Sequence, residues 1–144
     1  ERLAAVGRDH PVRVVPRDGR LRAGDPRLLW SLNLGLTLES WERIGGFDER
    51  YIGYGGEDTD FGQRLAAVGG TMWWSGVAGA FHQHHAVSDP PVEHAADIAR
   101  NATLFRSLWG FDPMAGWLRE MERSGHLVRT AEGWEVGQPV REEA

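Results

Sequence analysis

The chain contains no cysteine and no lysine, and no unbroken apolar run in it approaches the ~20 residues that a membrane-spanning helix needs. Without cysteine there is no disulfide, no thiolate metal site and no cysteine nucleophile, and the redox compartment stays open. The missing lysine means that all sixteen basic residues are arginine. A GC-rich coding bias accounts for that, and no function is read from it. Clustered positive charge is lacking too. The formal net charge of −5 has the wrong sign for a nucleic-acid or anionic-membrane surface, which must displace counterions with cations. No signal peptide and no internal repeat are visible, and no glycine-rich phosphate loop follows an apolar strand. A soluble, cytoplasmic protein is expected. The first residue is Glu1 rather than Met, so an N-terminal portion ahead of it is expected as well.

What is present reads as globular. Hydrophobic residues make up 41% and charged residues 26% of the 144 positions, enough for one domain with a real core. Residues 1–27 alternate Arg, Gly, Pro and Asp around a brief Val12-Arg13-Val14-Val15 segment and read as an arm or loop. From Leu28 to Leu38, Leu28, Trp30, Leu32, Leu34, Leu36 and Leu38 alternate with Leu29, Ser31, Asn33, Gly35 and Thr37. This period of two predicts a half-buried strand. Gly35 on its polar face would admit a ligand or another backbone, and Asn33 beside it offers donors and an acceptor. A short helix, Ser40 to Ile44, should stop at Gly45-Gly46. Thr71 to Trp74 and Val77 to Phe81 look like strands interrupted at Gly76. After Pro90-Pro91, Ala95, Ile98, Ala102, Phe105 and Trp109 trace one helical stripe, and Met114, Trp117, Leu118 and Met121 trace another. Both helices are expected to pack back on the sheet. Leu127–Thr130 and Trp134–Val136 fit a terminal hairpin.

The densest chemistry lies in Tyr54-Gly55-Gly56-Glu57-Asp58-Thr59-Asp60-Phe61. Phe61, Leu65 and Val68 fall on one helical face, so a helix starts near Asp58. Its exposed N–H groups and dipole favour carboxylates. The glycines before it allow a sharp bend and a close approach by another molecule. Capping alone could explain Asp58 or Asp60, with Gln63 behind Asp60 as in a capping box. A cap needs one carboxylate, however. Here three crowd together where they raise one another's pKa, led by Tyr51 and Tyr54, whose rings suit a sugar face.

Gly46-Phe47-Asp48-Glu49-Arg50-Tyr51 followed by Gly53-Tyr54-Gly55-Gly56-Glu57-Asp58 resembles the acceptor-side motif of GT-A glycosyltransferases. The likeness is to the family-two bacterial enzymes and to the C-terminal domain of galactosyltransferases of the lactose-synthase type. It extends over about Leu28 to His85. It implies an α/β protein, α+β-like in layout: the C-terminal half of a GT-A fold, with a mixed sheet flanked by helices, a helical tail and a terminal hairpin. The implied division is 1–27 arm, 28–86 acceptor and metal-side domain, and 87–144 tail. The resemblance implies Asp58 as catalytic base and Glu57, Tyr54, Gly55, Gly56 and Asp60 as acceptor-binding residues. The matching strand borders the donor sugar in that family, which gives Asn33 a donor contact; a solvent-facing strand Asn is the alternative. This sequence departs from the pattern at Tyr54, where Trp is commoner, and at Thr59, where the galactosyltransferases carry another Asp. Those departures bear on which acceptor is bound.

Three imidazoles stand close together at His82, His84 and His85, and imidazole is a common metal ligand. In the GT-A families a downstream His completes a divalent metal site held mainly by an Asp-x-Asp motif. By resemblance His82 matches that position in the polypeptide N-acetylgalactosaminyltransferases, and His85 the second of a three-apart pair in the galactosyltransferases. Exposed loop histidines are the plain alternative. His82 is expected to face the same cavity as Asp58. Asp58-Thr59-Asp60 is itself an Asp-x-Asp string, but it opens a helix rather than ending a buried strand. The metal motif, with the nucleotide-binding half, is therefore expected outside these residues, and 144 residues are few for a complete nucleotide-sugar enzyme.

The reaction implied is transfer from a nucleotide-diphosphate sugar to an acceptor hydroxyl, with a divalent cation, Mn or Mg, at the departing diphosphate. It is inverting, because the retaining relatives carry Asn where Asp58 stands. The partners implied are a nucleotide-sugar, a carbohydrate or glycoconjugate acceptor and an N-terminal nucleotide-binding half. One alternative is a non-catalytic carbohydrate-recognition fragment, in which Tyr51, Tyr54, Trp73 and Trp74 stack sugars. The other is a hydrolase using Glu57 and Asp58, disfavoured because glycosidase carboxylates must flank the scissile bond.

Overall fold

The computed structural model of the chain describes residues 15–16, 18–77, 80–83, 86 and 88–138. These form two compact units, neither continuous in sequence. One comprises the described residues up to Gly46 with those of Phe61–His85, the other Phe47–Asp60 with those from Ala86 onward. The division falls within one helix, between Asp60 and Phe61. The expected helix-and-strand mixture is present, but the only sheets among the described residues are two antiparallel pairs.

In the first unit, β1 (Leu21–Gly24) pairs antiparallel with β2 (Met72–Ser75), Leu21 opposite Ser75 and Gly24 opposite Met72. β2 was expected; β1 lies in the stretch read as arm. The expected Val77–Phe81 strand falls partly outside the described residues, and its described members Val77, Ala80 and Phe81 are not in a strand. Residues 12–14 also lie outside them.

The strand expected over Leu28–Leu38 is not formed, which corrects the mixed-sheet reading. Two 3-10 turns, Pro26–Leu28 and Ser31–Asn33, take up its first half. Asp25 caps the first, its side chain accepting from Arg27 N at 2.9 Å. Trp30 and Leu34 keep extended dihedrals, but no neighbouring strand pairs with them among the described residues. The sidedness inverts as well. Leu29, on the supposed polar face, is 3% exposed, whereas Leu32 and Leu38 are 68% and 71% exposed. Alternation fixes a face only when a sheet enforces the pleat; without one, the two turns free each residue to find its own environment.

Helix α1 (Leu38–Ile44) meets expectation. The Thr37 hydroxyl caps it by accepting from Ser40 N at 3.1 Å, and the chain leaves through Gly45 in the left-handed region. Helix α2 (Glu57–Ala67) buries Phe61, 1% exposed, against Trp41 with centroids 5.8 Å apart. Arg64 reaches the Ile44 carbonyl and Arg43 the Val68 carbonyl, which ties the two helices together.

Gly62 on α2 is buried, and a Cβ there would lie 2.1 Å from the Pro26 carbonyl oxygen. Replacing a mid-helix glycine by alanine usually stabilises by ~0.5–1 kcal/mol. Here the obstacle is backbone, so Gly62→Ala is expected to destabilise by about 1–3 kcal/mol. A raised denaturation midpoint would show that the 26–28 turn is not seated on the helix.

The second unit holds α3 (Ala95–Trp109), α4 (Ala115–Arg123) and the hairpin of β3 (Leu127–Arg129) and β4 (Trp134–Val136). The stripe read from the sequence is real: Ile98, Ala102 and Phe105 are fully buried, and so are Leu118 and Met121 on α4. Ile98, Ala102, Leu118 and Met121 share a core with Leu127 and Trp134 of the hairpin. That hairpin closes the helices. Asp112 fastens the corner, accepting from Trp134 Nε1 at 3.1 Å and Arg106 at 3.0 Å.

Candidate active site

The motif run begins as a glycine loop and becomes a helix without a break. Gly53, Gly55 and Gly56 have φ of 72°, 90° and 95°, a region in which a side chain is strained. Asp60 N donates to the Gly56 carbonyl at 2.9 Å, which makes Gly56 the helix cap. Asp58 and Asp60 are therefore inside the helix, where neither is the N-cap that the bland reading required. Tyr51 lies over Gly56, its ring 3.1 Å from where a Cβ would stand, and the Met114 sulfur occupies the corresponding place at Gly55.

Glu57 and Asp58 share the first turn of α2, where the unbonded N–H groups gather. Glu57 is partly buried, and its Oε2 has no hydrogen-bond partner among the described residues. A buried unpaired carboxylate oxygen costs about 1–3 kcal/mol or more, so it marks a place where a ligand hydroxyl would be welcome. Burial first, and the Asp58 charge second, push the Glu57 carboxyl above its ordinary value, against the pull of backbone N–H groups. The crowding foreseen in the sequence thus acts at Glu57.

A raised folded-state pKa on an acid means that the native chain holds the proton more tightly than the unfolded one. Glu57 then favours folding fully below its ordinary value of 4.5. That contribution is lost as pH rises through the raised value. Thermal melts should show Glu57→Gln matching the parent at low pH and exceeding it in Tm near neutrality; parallel pH profiles would contradict this.

Tyr54 is 41% exposed and stacks on His94, with centroids 4.4 Å apart and planes 8° from parallel. Trp117 lies 6.1 Å away at 28°, its Nε1 donating to Asp89 at 3.0 Å. One edge of the loop is thus an aromatic cluster. Neither His94 nor Trp117 was singled out as a site residue; Trp117 was read as core stripe, and nothing local marks either as a neighbour of Tyr54.

Other expected residues are placed differently. Asp60, expected at the acceptor, is 1% exposed, and its Oδ1 accepts from Trp109 Nε1 at 2.8 Å. It belongs to the interior. Tyr51 is half-buried, and burial, then the charges of Asp60 and Asp48, push its phenol upward. Asn33 closes an exposed 3-10 turn instead of riding a strand. A small groove of about 170 Å³ nearby is lined by Leu34, Gly35, Leu36 and Trp73 but not by Asn33. His82 is exposed and falls in the first unit, whereas Asp58 falls in the second. His84 and His85 lie outside the described residues. Among the described residues no three His, Asp or Glu side chains gather as a metal requires.

Residues 27–86, less than half of the chain, match the family model described as the N-terminal domain of galactosyltransferase. The matching model describes a glycosyltransferase domain, designated N-terminal where the motif resemblance pointed to a C-terminal one. Two curated relatives are the validoxylamine A glucosyltransferases of Streptomyces hygroscopicus subsp. jinggangensis (strain 5008) and Streptomyces hygroscopicus subsp. limoneus. Each is 50% identical over 40 residues, 28% of this chain and 10% or 9% of the relative. The chain spans about a tenth of the length of these relatives. No solved structure matches. No helix among the described residues is long and apolar enough to cross a membrane.

Proposed function

We propose that this chain carries the acceptor-binding and base-supplying part of an inverting GT-A glycosyltransferase that moves a hexose from a nucleotide-diphosphate sugar to a hydroxyl. The observation that carries the reading is the Gly53–Gly56 loop delivering Glu57 and Asp58 side by side at a helix start, with Glu57 Oε2 buried and unpartnered among the described residues. The family match over the same stretch supports the reaction class.

Asp58 takes the acceptor hydroxyl's proton as that oxygen attacks the anomeric carbon from the side opposite the departing diphosphate. Glu57 accepts a hydrogen bond from a neighbouring acceptor hydroxyl. The exposed edge of Tyr54 borders the sugar, and the bare backbone of Gly55 and Gly56 lets it approach. Asn33 is assigned to the donor side. A divalent cation, Mn or Mg, is assigned to ligands supplied mainly from outside the described residues, with His82 and His85 as this chain's contribution. It would neutralise the leaving diphosphate.

The test uses the complete protein with UDP-glucose or UDP-galactose as donor, validoxylamine A as acceptor probe, and Mn or Mg present. Transfer with inversion at the anomeric carbon, read by NMR, is expected, and chelation should abolish it. Retention, or no transfer from either donor, would sink the reading. The aromatic cluster of Tyr54, His94 and Trp117 favours one rival, a carbohydrate-recognition module. Oligosaccharide binding by a complete protein that binds no nucleotide-sugar would establish the rival instead.

A further inference from the structure

We infer that Asn101, with Asp97 and Arg100 beside it on α3, is a positioning residue for the acceptor site: a clamp that sets where Glu57 and Asp58 stand. The inference rests on the acceptor-site reading above and extends it to residues 40 positions further along the chain.

The Gly53–Gly56 loop has no regular structure of its own, so its backbone groups must find partners elsewhere. One amide, with two N–H bonds and one of them shared, reaches three carbonyls in and just before the loop. Asn101 Nδ2 donates to the carbonyls of Ile52, Tyr54 and Gly55 at 3.1, 3.2 and 2.8 Å. The residue is completely buried, so no water replaces it. Its neighbours complete the grip. Asp97 Oδ2 accepts from Tyr54 N at 3.2 Å, and Arg100 donates to the Ile52 carbonyl and to Asp97 Oδ1. The Arg100 guanidinium first, and the Tyr54 N–H further down, hold the Asp97 carboxyl below its usual range. Any Cβ at Gly53 would meet that carboxylate, so loop and clamp are fitted to each other.

The consequence is geometric. The carbonyls gathered on Asn101 belong to the residues just before Glu57, and the Gly56 carbonyl begins the helix that carries Glu57 and Asp58. Turning the loop by even an ångström would carry the base away from the hydroxyl, and such misplacement can cost about a hundredfold in rate. None of the three clamp residues needs to touch the sugar.

The experiment compares Asn101→Asp, Asp97→Asn and Asp58→Asn in the complete protein, with UDP-glucose, UDP-galactose and validoxylamine A as probes. Asn101→Asp keeps the shape but presents oxygens to three carbonyl oxygens. It should raise the acceptor KM and lower kcat at least tenfold while the donor KM changes less than twofold. Asp97→Asn keeps an acceptor for Tyr54 N and weakens only the Arg100 contact, so a threefold to tenfold rise in acceptor KM at normal Tm is expected. If Asn101→Asp does not fold, Asp97→Asn decides alone. Asn101→Gln, which keeps the donor, should recover more activity than Asn101→Asp. Unchanged acceptor KM in both clamp variants while Asp58→Asn is inactive overturns the clamp and leaves the base assignment standing. Full activity of Asp58→Asn, or no transfer by the parent, overturns the acceptor-site reading itself.

Discussion

Asp58→Asn in the complete protein is expected to lower turnover by roughly a hundredfold to ten-thousandfold, the usual span for losing a general base, with donor binding nearly unchanged. Asparagine keeps the size and most hydrogen bonds of aspartate but cannot take a proton. The stability cost should be small. Asp58 is the second residue of α2, and losing one charge near a helix N-terminus costs no more than about 1 kcal/mol. Steady-state kinetics with varied donor and acceptor, beside a thermal melt, separate the two effects. If Asp58→Asn leaves turnover intact while Glu57→Gln abolishes it, the base has been assigned to the wrong carboxylate. Should the variants only lower Tm, these charges serve the helix start alone.

Asp60→Ala should show the reverse pattern, a large loss of stability. Asp60 is 1% exposed and accepts from Trp109 Nε1 at 2.8 Å. Removing a charged acceptor from the interior loses a bond of about 1.5–3 kcal/mol and strands the indole N–H. With the small cavity added, a loss of about 2–4 kcal/mol is expected. Asp60→Asn, which can still accept from Trp109, should recover at least half of it. The two denaturation curves decide whether Asp60 is framework. Equal stability of Asp60→Ala and the parent would return Asp60 to the candidate acceptor contacts.

The helices were legible because each carries its evidence locally. Ile98, Ala102 and Phe105 recur at helical spacing and Gly45 stands where a C-cap belongs, and the structure agrees; the Thr37 cap is visible only in the structure, because the alternation around Thr37 reads as strand. The hairpin was legible for the same reason, its turn lying between two short apolar runs. The Leu28–Leu38 strand was not, because a strand is defined by what pairs with it. Alternation proposes a face, but a partner strand must hold the pleat, and none does so among the described residues. β1 was missed from the other side. Leu21-Arg22-Ala23-Gly24 has no strand pattern and becomes a strand only because Met72–Ser75 lies alongside.

The candidate site divides along the same line. By itself the sequence determined which residues could bear the chemistry, because a glycine loop running into a carboxylate-rich helix start is a local pattern with a local cause. Only the tertiary structure decided how each carboxylate is buried and what it meets. It turned Asp60 inward to Trp109, left Glu57 Oε2 buried without a partner among the described residues, and brought Asn101 under the carbonyls of Ile52, Tyr54 and Gly55. Those roles depend on burial and on partners 40 or more positions away, and neither is written in the spacing of neighbouring residues.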